Sequence, residues 1–289
     1  MKLSDYVINF LAEREIQDIF LVSGGGIMYL TDSVGRNNKI RYISNYHEQA
    51  SAICAESYAR MRNQISACLV TTGPGGTNAI TGVAGAFMDS IPMIVLSGQV
   101  RREVIADYAK LRQLGPQEVN IIDMVKPVTK YAVTVISPEE IRYHLEKAFY
   151  LAKSGRPGPV WINIPLDVQG SYIEESNLKA FSPPIYKINK PYLQKVVVTI
   201  IKMLKDANRP IVILGNGIRL SHAENLLGKL INKLKIPILL TYNGIDLVAY
   251  NHPLLAGKFG PVGHRRGNFA LQNSDLILSI GASLNITSK

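Results

Sequence analysis

The chain lacks the marks of a secreted or membrane protein. Its 289 residues include two cysteines. These, Cys54 and Cys68, fall in a predicted helix and a predicted strand and indicate no disulfide framework. No apolar run reaches the length of a membrane span, and Asp5 and Glu13 interrupt the segment in which a signal peptide needs its apolar stretch. We therefore expect a cytoplasmic protein with no membrane partner.

The chain also lacks a compact basic block, although its net charge is +10 and its pI is about 9.5. Its lysines and arginines are dispersed, without the interleaving of basic and aromatic residues that is typical of RNA-binding proteins. This favours a solvated basic surface over a nucleic-acid partner. A positive charge also suits an acidic small substrate or cofactor.

Apolar residues make up 47% of the chain and charged residues 19%, which is typical of a compact globular protein of about two domains. Predicted helices alternate with apolar strands, a pattern that indicates α/β domains with mostly parallel sheets. We expect two three-layer α/β/α domains, at residues 1–170 and 191–289, joined by a linker at 171–190. No predicted helix follows the last predicted strand at 275–280, so we expect the second domain to be truncated.

Glu48 stands between a predicted strand, residues 40–44, and a predicted helix, residues 48–61. In open α/β sheets, ligands bind at this carboxyl edge of the strands. Taken alone, however, the position favours a simpler explanation. Acidic residues are common in the first turn of a helix, where the helix dipole stabilises their charge.

Glycine-rich segments follow other predicted strands. For residues 24–26, after the strand at 19–22, a tight turn is the simpler explanation and close approach to a ligand is the alternative. The segment TGPGGTN at 72–78 precedes a helix and offers free backbone N–H groups to an anion, but its spacing fits neither a Walker A loop nor a dinucleotide fingerprint. A further turn, residues 215–217, has Leu220 in place of the fingerprint's third glycine, which argues against a nucleotide-binding oxidoreductase.

Six segments of the chain, taken in order, resemble the thiamine-diphosphate-dependent enzymes of the acetolactate synthase type. They are HEQA at 47–50, TGPGGTN at 72–78, MDSIPM at 88–93, SGQ at 97–99, KPVTK at 126–130 and GRPGPV at 155–160. Each segment alone is a weak signal, but the order and spacing of all six are specific. The resemblance covers essentially the whole chain and implies the family's pyrimidine-binding domain followed by the start of its central domain.

The resemblance implies a role for Glu48. In this family the corresponding glutamate hydrogen-bonds N1′ of the cofactor's aminopyrimidine ring and so promotes loss of the thiazolium C2 proton. The positions that match the family's cofactor-binding loops are Gly25, Gly26, Gly73, Pro74 and Asn78. Gln117 matches a residue on a loop that reaches toward the substrate, with a plain surface residue as the alternative. His47 is either a second acid–base group or a structural histidine.

The implied activity is that of a thiamine-diphosphate-dependent decarboxylase or carboligase acting on 2-keto acids, as a homodimer or homotetramer. The family's third domain binds the diphosphate through Mg²⁺ with a Gly-Asp-Gly motif, which is absent from these 289 residues. The chain is therefore expected to supply half of a site shared between subunits, to provide no metal ligand, and to be catalytically silent alone. The alternative is a non-catalytic or split-enzyme subunit that pairs with a separate diphosphate-binding chain.

The chain also departs from the family's pattern. Ser23 stands where acetolactate synthases have proline, and Pro116 stands near the place of an aromatic residue. Ser283 stands where the flavin-binding members have arginine. These departures make FAD binding and true acetolactate synthesis doubtful, and a related carboligase or decarboxylase fits as well.

Overall fold

The structure is a computed structural model that describes residues 1–186 and 188–284. The chain divides between Pro184 and Ile185 into two compact units. The first unit contains part of the segment that composition predicts to be a linker, since Ile173 and Leu178 are buried in its core. None of the helices in the described part of the chain combines the length and apolar character that crossing a bilayer requires.

The first unit alternates helices with strands. In chain order these are α1 (Leu3–Glu13), β1 (Asp18–Leu21), α2 (Met28–Arg36), β2 (Arg41–Ser44), α3 (Glu48–Arg62), β3 (Ser66–Val70), α4 (Pro74–Asp89), β4 (Met93–Gln99), α5 (Ile121–Val125), β5 (Tyr131–Thr134), α6 (Ile141–Lys153), β6 (Pro159–Pro165) and α7 (Leu166–Gly170). The six strands form one sheet in the order β2-β1-β3-β4-β6-β5, and every pairing in it is parallel.

Helices cover both faces of this sheet. Neighbouring residues of a strand point to opposite sides, so each strand contributes side chains to both layers. On β3, Ala67 and Leu69 belong to the core under α1, α2 and α6, whereas Cys68 and Val70 are buried on the other face. Helices α3 and α4 pack closely against each other and against β3. The four inner strands β1, β3, β4 and β6 are therefore buried on both faces, which explains their apolar runs.

The second unit contains a four-stranded sheet of its own. Its elements are α8 (Lys190–Asp206), β7 (Pro210–Leu214), α9 (Gly217–Leu220), α10 (Glu224–Leu234), β8 (Ile238–Leu240), β9 (Leu255–Lys258), α11 (Arg265–Gln272) and β10 (Leu276–Ile280). The strand order is β10-β7-β8-β9, again with parallel pairing. The predicted α/β class with parallel sheets is therefore confirmed.

Candidate functional site

The carboxyl ends of the parallel strands meet at one edge of the first sheet, and β1 lies at a special place along that edge. Its neighbours are β2 on one side and β3 on the other. The connection after β1 leads to one side of the sheet, to β2, and the connection after β3 leads to the other side, to β4. This is the topological switch point at which open α/β sheets bind ligands. The segments that follow β1, β2 and β3 carry all the predicted site residues except Gln117, which follows β4.

The turn after β1 packs tightly against the end of β3. The Gly26 N–H donates to Thr71 Oγ1 at 3.1 Å, and a Cβ atom on Gly24 would lie 2.5 Å from the Cβ of Thr71. A Cβ on Gly26 would lie 2.0 Å from Thr72 Oγ1. Gly25 differs from both, because it is exposed and has nothing within 4 Å of its Cβ position. The outer glycines therefore permit close packing, and Gly25 presents its backbone to the outside.

Glu48 is the first residue of α3 and is half-buried. Asn78, in the second turn of α4, donates from Nδ2 to Glu48 Oε2 at 3.0 Å. This contact is possible because α3 and α4 approach closely where a Cβ on Gly82 would lie 2.6 Å from the Cβ of Ala52. The described residues give this carboxylate no other hydrogen-bond donor, and a Cβ on Gly75 would lie 3.4 Å from Glu48 Oε1.

His47 caps the helix that begins at Glu48. Its Nδ1 accepts a hydrogen bond from the backbone N–H of Gln49 at 3.1 Å, which satisfies one of the free N–H groups at the start of α3. The side chain is exposed. Of the two explanations that the sequence left open, the structure supports a structural histidine.

The loop after β3 makes contact with a second predicted site residue. Gly73 adopts φ +66° and caps α4, and Pro74 is the first residue of that helix, where a missing N–H costs nothing. A Cβ on Gly73 would lie 1.9 Å from the carbonyl oxygen of Gln117. The structure therefore brings Gln117 to the start of α4, where it is exposed and adopts φ +59°.

Glu118 has a structural role that the sequence did not reveal. It is 3% exposed, and its carboxylate accepts hydrogen bonds from three backbone N–H groups and from the Tyr108 hydroxyl. Burial alone would raise its pKa, but these hydrogen bonds hold the pKa of the Glu118 carboxyl below its ordinary value. The only sequence signal was an acidic residue beside Gln117.

Thr72 was also missed, because threonine carries no distinctive signal in a sequence. Its Oγ1 is buried and has no hydrogen-bond partner within the described residues. A buried hydroxyl without a partner is costly and points to an absent ligand or water. It lies against Gly26, between the loops that follow β1 and β3. The half-buried carboxylate, the open backbone at Gly25 and this hydroxyl fit a polar cofactor with hydrogen-bonding groups.

Other predicted features take part in no such arrangement. Across residues 1–186 and 188–284, no three His, Cys, Asp or Glu side chains are grouped so that they could hold a metal ion. In the second unit, the N–H groups of Gly215 and Gly217 donate to Ile280 O and Gly281 O, each at 2.9 Å. These N–H groups are occupied by backbone partners, so the turn serves the contact between the ends of β7 and β10.

In comparisons with known proteins, both halves of the chain match domains of one family of enzymes. Residues 1–124 match the family model described as "Thiamine pyrophosphate enzyme, N-terminal TPP binding domain", and residues 197–289 match the model of the central domain of the same enzymes. Thiamine pyrophosphate is another name for thiamine diphosphate.

Among curated proteins, the acetolactate synthase large subunit of Cyanidium caldarium is 34% identical over 287 residues, which is 96% of this chain and 47% of that protein. The acetolactate synthase isozyme 1 large subunit of Escherichia coli is 32% identical over 280 residues, 96% of this chain and 48% of that protein. The acetolactate synthase large subunit of Lactococcus lactis is likewise 32% identical, with the same coverage. The chain spans about half the length of the curated relatives it matches. The resemblance carried by the six sequence segments is thus confirmed, and the chain belongs to the thiamine pyrophosphate enzymes, of which it carries the N-terminal and central domains.

Proposed function

We propose that this chain is part of a thiamine-diphosphate-dependent decarboxylase or carboligase that acts on 2-keto acids, as an acetolactate-synthase-like enzyme. The observation that carries the proposal is the Glu48–Asn78 pair at the switch point of the first sheet. It places a carboxylate at the edge where such sheets bind ligands. The family membership and the relatives' names support the cofactor and the reaction class.

Glu48 is the residue that acts on the cofactor in this proposal. Asn78 occupies Oε2 and fixes the carboxyl group, which leaves Oε1 to hydrogen-bond a ring nitrogen of the pyrimidine. Gly75 places no side chain beside Oε1, where a Cβ atom would lie 3.4 Å from it. A carboxyl group held in this way is positioned to hydrogen-bond that nitrogen and to act as a general acid or base there. The bound cofactor supplies the carbanion chemistry on which decarboxylation and carboligation depend.

The backbone around Glu48 provides the remaining contacts on this side of the cofactor. Gly25 is open to the outside, and Gly26, Gly73 and Pro74 hold the neighbouring loops at close range. Glycines let backbone approach a flat ring more closely than any other residue does. These residues therefore orient the pyrimidine ring against Glu48, and Gln117, at the start of α4, faces the substrate.

The proposed enzyme binds the diphosphate and its Mg²⁺ through protein groups outside these residues. A site divided in this way forms between two copies of the enzyme, so we propose a homodimer or homotetramer. Magnesium is bound mainly by carboxylates together with phosphate oxygens, and no metal-binding group of side chains occurs among the described residues. In cells the enzyme works in the cytoplasm.

Turnover of the complete polypeptide tests this proposal. With thiamine diphosphate, Mg²⁺ and a panel of 2-keto acids, we expect product formation that Glu48→Gln abolishes without loss of the fold. The matched control is Glu13→Gln, which neutralises an exposed glutamate at the end of α1, just before β1 begins, and hence at the opposite edge of the sheet. Retained turnover in Glu48→Gln would rule out Glu48 as the activating group. Loss of turnover in the control would rule out a specific effect.

A further inference from the structure

The segment of residues 106–118, here called the Gln117 loop, is held together by one buried side chain. Glu118 Oε1 accepts from the Ala106 N–H at 2.7 Å and from the Tyr108 hydroxyl at 2.7 Å. Glu118 Oε2 accepts from the N–H groups of Leu114 and Gly115 at 2.8 and 3.0 Å. The carboxylate therefore joins the start of the loop to its end.

The same carboxylate is fixed relative to the sheet. Gln99, the last residue of β4, is 3% exposed and donates from Nε2 to Val119 O at 3.2 Å. The Tyr108 hydroxyl lies 3.2 Å from the same carbonyl oxygen. Val119, the residue that follows Glu118, is thus anchored to the end of β4. This anchor also fixes the position of Glu118 relative to the sheet.

Gln117 precedes this anchor and depends on it. It adopts φ +59°, a left-handed conformation that a residue with a side chain takes up only when its surroundings impose it. Its side chain is exposed, whereas its carbonyl oxygen lies against Gly73 at the start of α4. No side-chain hydrogen bond of Gln117 itself explains this conformation within the described residues. The conformation follows from the restraint on its neighbour.

We propose that Glu118 is a positioning residue, which holds Gln117 at the start of α4 and thereby sets the affinity of the site for its 2-keto acid. The proposal rests on the function proposed above. Glu118 does not touch the substrate. It acts through Gln117, so the effects of changing the two residues must not be independent.

A double-mutant cycle in the complete enzyme tests this dependence. The variants are Glu118→Gln, Gln117→Ala and the double variant, with KM for the 2-keto acid and the Kd of thiamine diphosphate measured for each. Glu118→Gln replaces an acceptor by an amide N–H₂ that faces two N–H donors. We expect an increase in KM of about tenfold, the size of one lost hydrogen bond to a charged group. We expect a similar increase for Gln117→Ala, no further increase in the double variant, and an unchanged Kd for the cofactor.

The matched control is Asp107→Asn, which removes a charge from an exposed carboxylate on the same loop that pairs with Lys110 at 2.9 Å. Trypsin provides a readout that needs no activity. Cleavage after the exposed Lys110 or Arg112 should accelerate in Glu118→Gln and stay unchanged in Gln117→Ala. Should Glu118→Gln fail to fold, Tyr108→Phe removes a single donor to the carboxylate and should raise KM to a smaller extent.

Each outcome decides between the alternatives. A KM of the double variant that is no higher than the KM of either single variant supports the proposal, whereas additive increases in KM would overturn it. An unchanged KM in Glu118→Gln, or in a folded Tyr108→Phe when that variant replaces it, would also overturn it. A wild-type enzyme without turnover on any 2-keto acid would overturn the proposed function and this inference with it. Turnover with additive effects would overturn this inference alone.

Discussion

Replacing Gly73 by alanine should destabilise the first unit, whereas a methyl group added at an open position of α4 should not. Gly73 adopts φ +66° and ψ −115°, a conformation that residues with a Cβ atom rarely occupy. The added Cβ would lie 1.9 Å from Gln117 O, so relief requires movement of the Gln117 loop away from the end of β3.

The expected cost follows from these two effects. Holding an alanine in a sparsely populated backbone region costs about 1–3 kcal/mol. Forcing a methyl group into an occupied space costs about 1–3 kcal/mol more. We therefore expect Gly73→Ala to lower the free energy of unfolding by about 2–6 kcal/mol. This is a large share of the stability of an ordinary domain.

Gly85→Ala is the matched control. Gly85 lies inside the same helix, and its Cβ position has nothing within 4 Å. Alanine is favoured over glycine in a helix interior by about 0.5–1 kcal/mol. The same chemical change in the same helix should therefore stabilise the protein.

Urea unfolding followed by tryptophan fluorescence measures both variants. The chain has one tryptophan, Trp161, which is fully buried in β6 and donates from Nε1 to Ser97 Oγ at 2.7 Å. Its emission therefore reports on unfolding of the first unit. Equal changes in the free energy of unfolding for Gly73→Ala and Gly85→Ala, or a Gly73→Ala variant as stable as the wild type, would refute the close contact between Gly73 and Gln117.

Two further predictions concern buried groups of the first sheet. Asp18 is 2% exposed and accepts hydrogen bonds from Arg41 and Tyr58; although burial alone would raise its pKa, these partners hold the pKa of the Asp18 carboxyl below its ordinary value. Asp18→Asn should cost about 1.5–3 kcal/mol at pH 7 in urea unfolding. This difference from the wild type should shrink as the pH falls below the unfolded-state pKa of about 3.9, and an unchanged difference at pH 3 would contradict it. Cys68 is fully buried, and burial raises the pKa of its thiol. Iodoacetamide should therefore label Cys68 only when the protein unfolds. Detection of the label on Cys68 of the native protein by mass spectrometry would contradict that burial.

The sequence was most informative where chain order alone determines position. Glu48 could be placed at the carboxyl edge because an apolar strand ends and a helix begins beside it. The helix-start explanation and the cofactor explanation remain compatible, since Glu48 occupies the first turn of α3. Its role in activating the cofactor stays a prediction, as do the roles of the glycines, Pro74, Asn78 and Gln117.

The contacts within the site could not be predicted from the sequence, because they depend on strand order. Thr71 meets Gly26 only because β1 lies next to β3, although 45 residues separate them. In the same way, Asn78 reaches Glu48 through the packing of α3 on α4. The spacing of apolar residues shows which face of a helix or strand is buried, but it does not show which other element packs against that face.

Short and irregular elements were missed for a different reason. Strand β9 has four residues, one of which is Gly257 at φ +113°, and glycine is unfavourable in strands. Helix α11 has eight residues, too few for a clear period. The role of Glu118 depends on backbone N–H groups supplied by a loop, which leave no pattern in the side chains.

The measurement that tests the central claim most directly is the exchange of the C2 proton of thiamine diphosphate with deuterium in the complete enzyme. It needs no substrate and depends on the action of Glu48 on the cofactor. We expect exchange in Glu48→Gln to be about 10²–10⁴-fold slower than in the wild type, the usual contribution of a positioned acid or base. Glu13→Gln should exchange at the wild-type rate. Equal exchange rates in Glu48→Gln and the wild type, with cofactor bound in both, would contradict the assignment of this site.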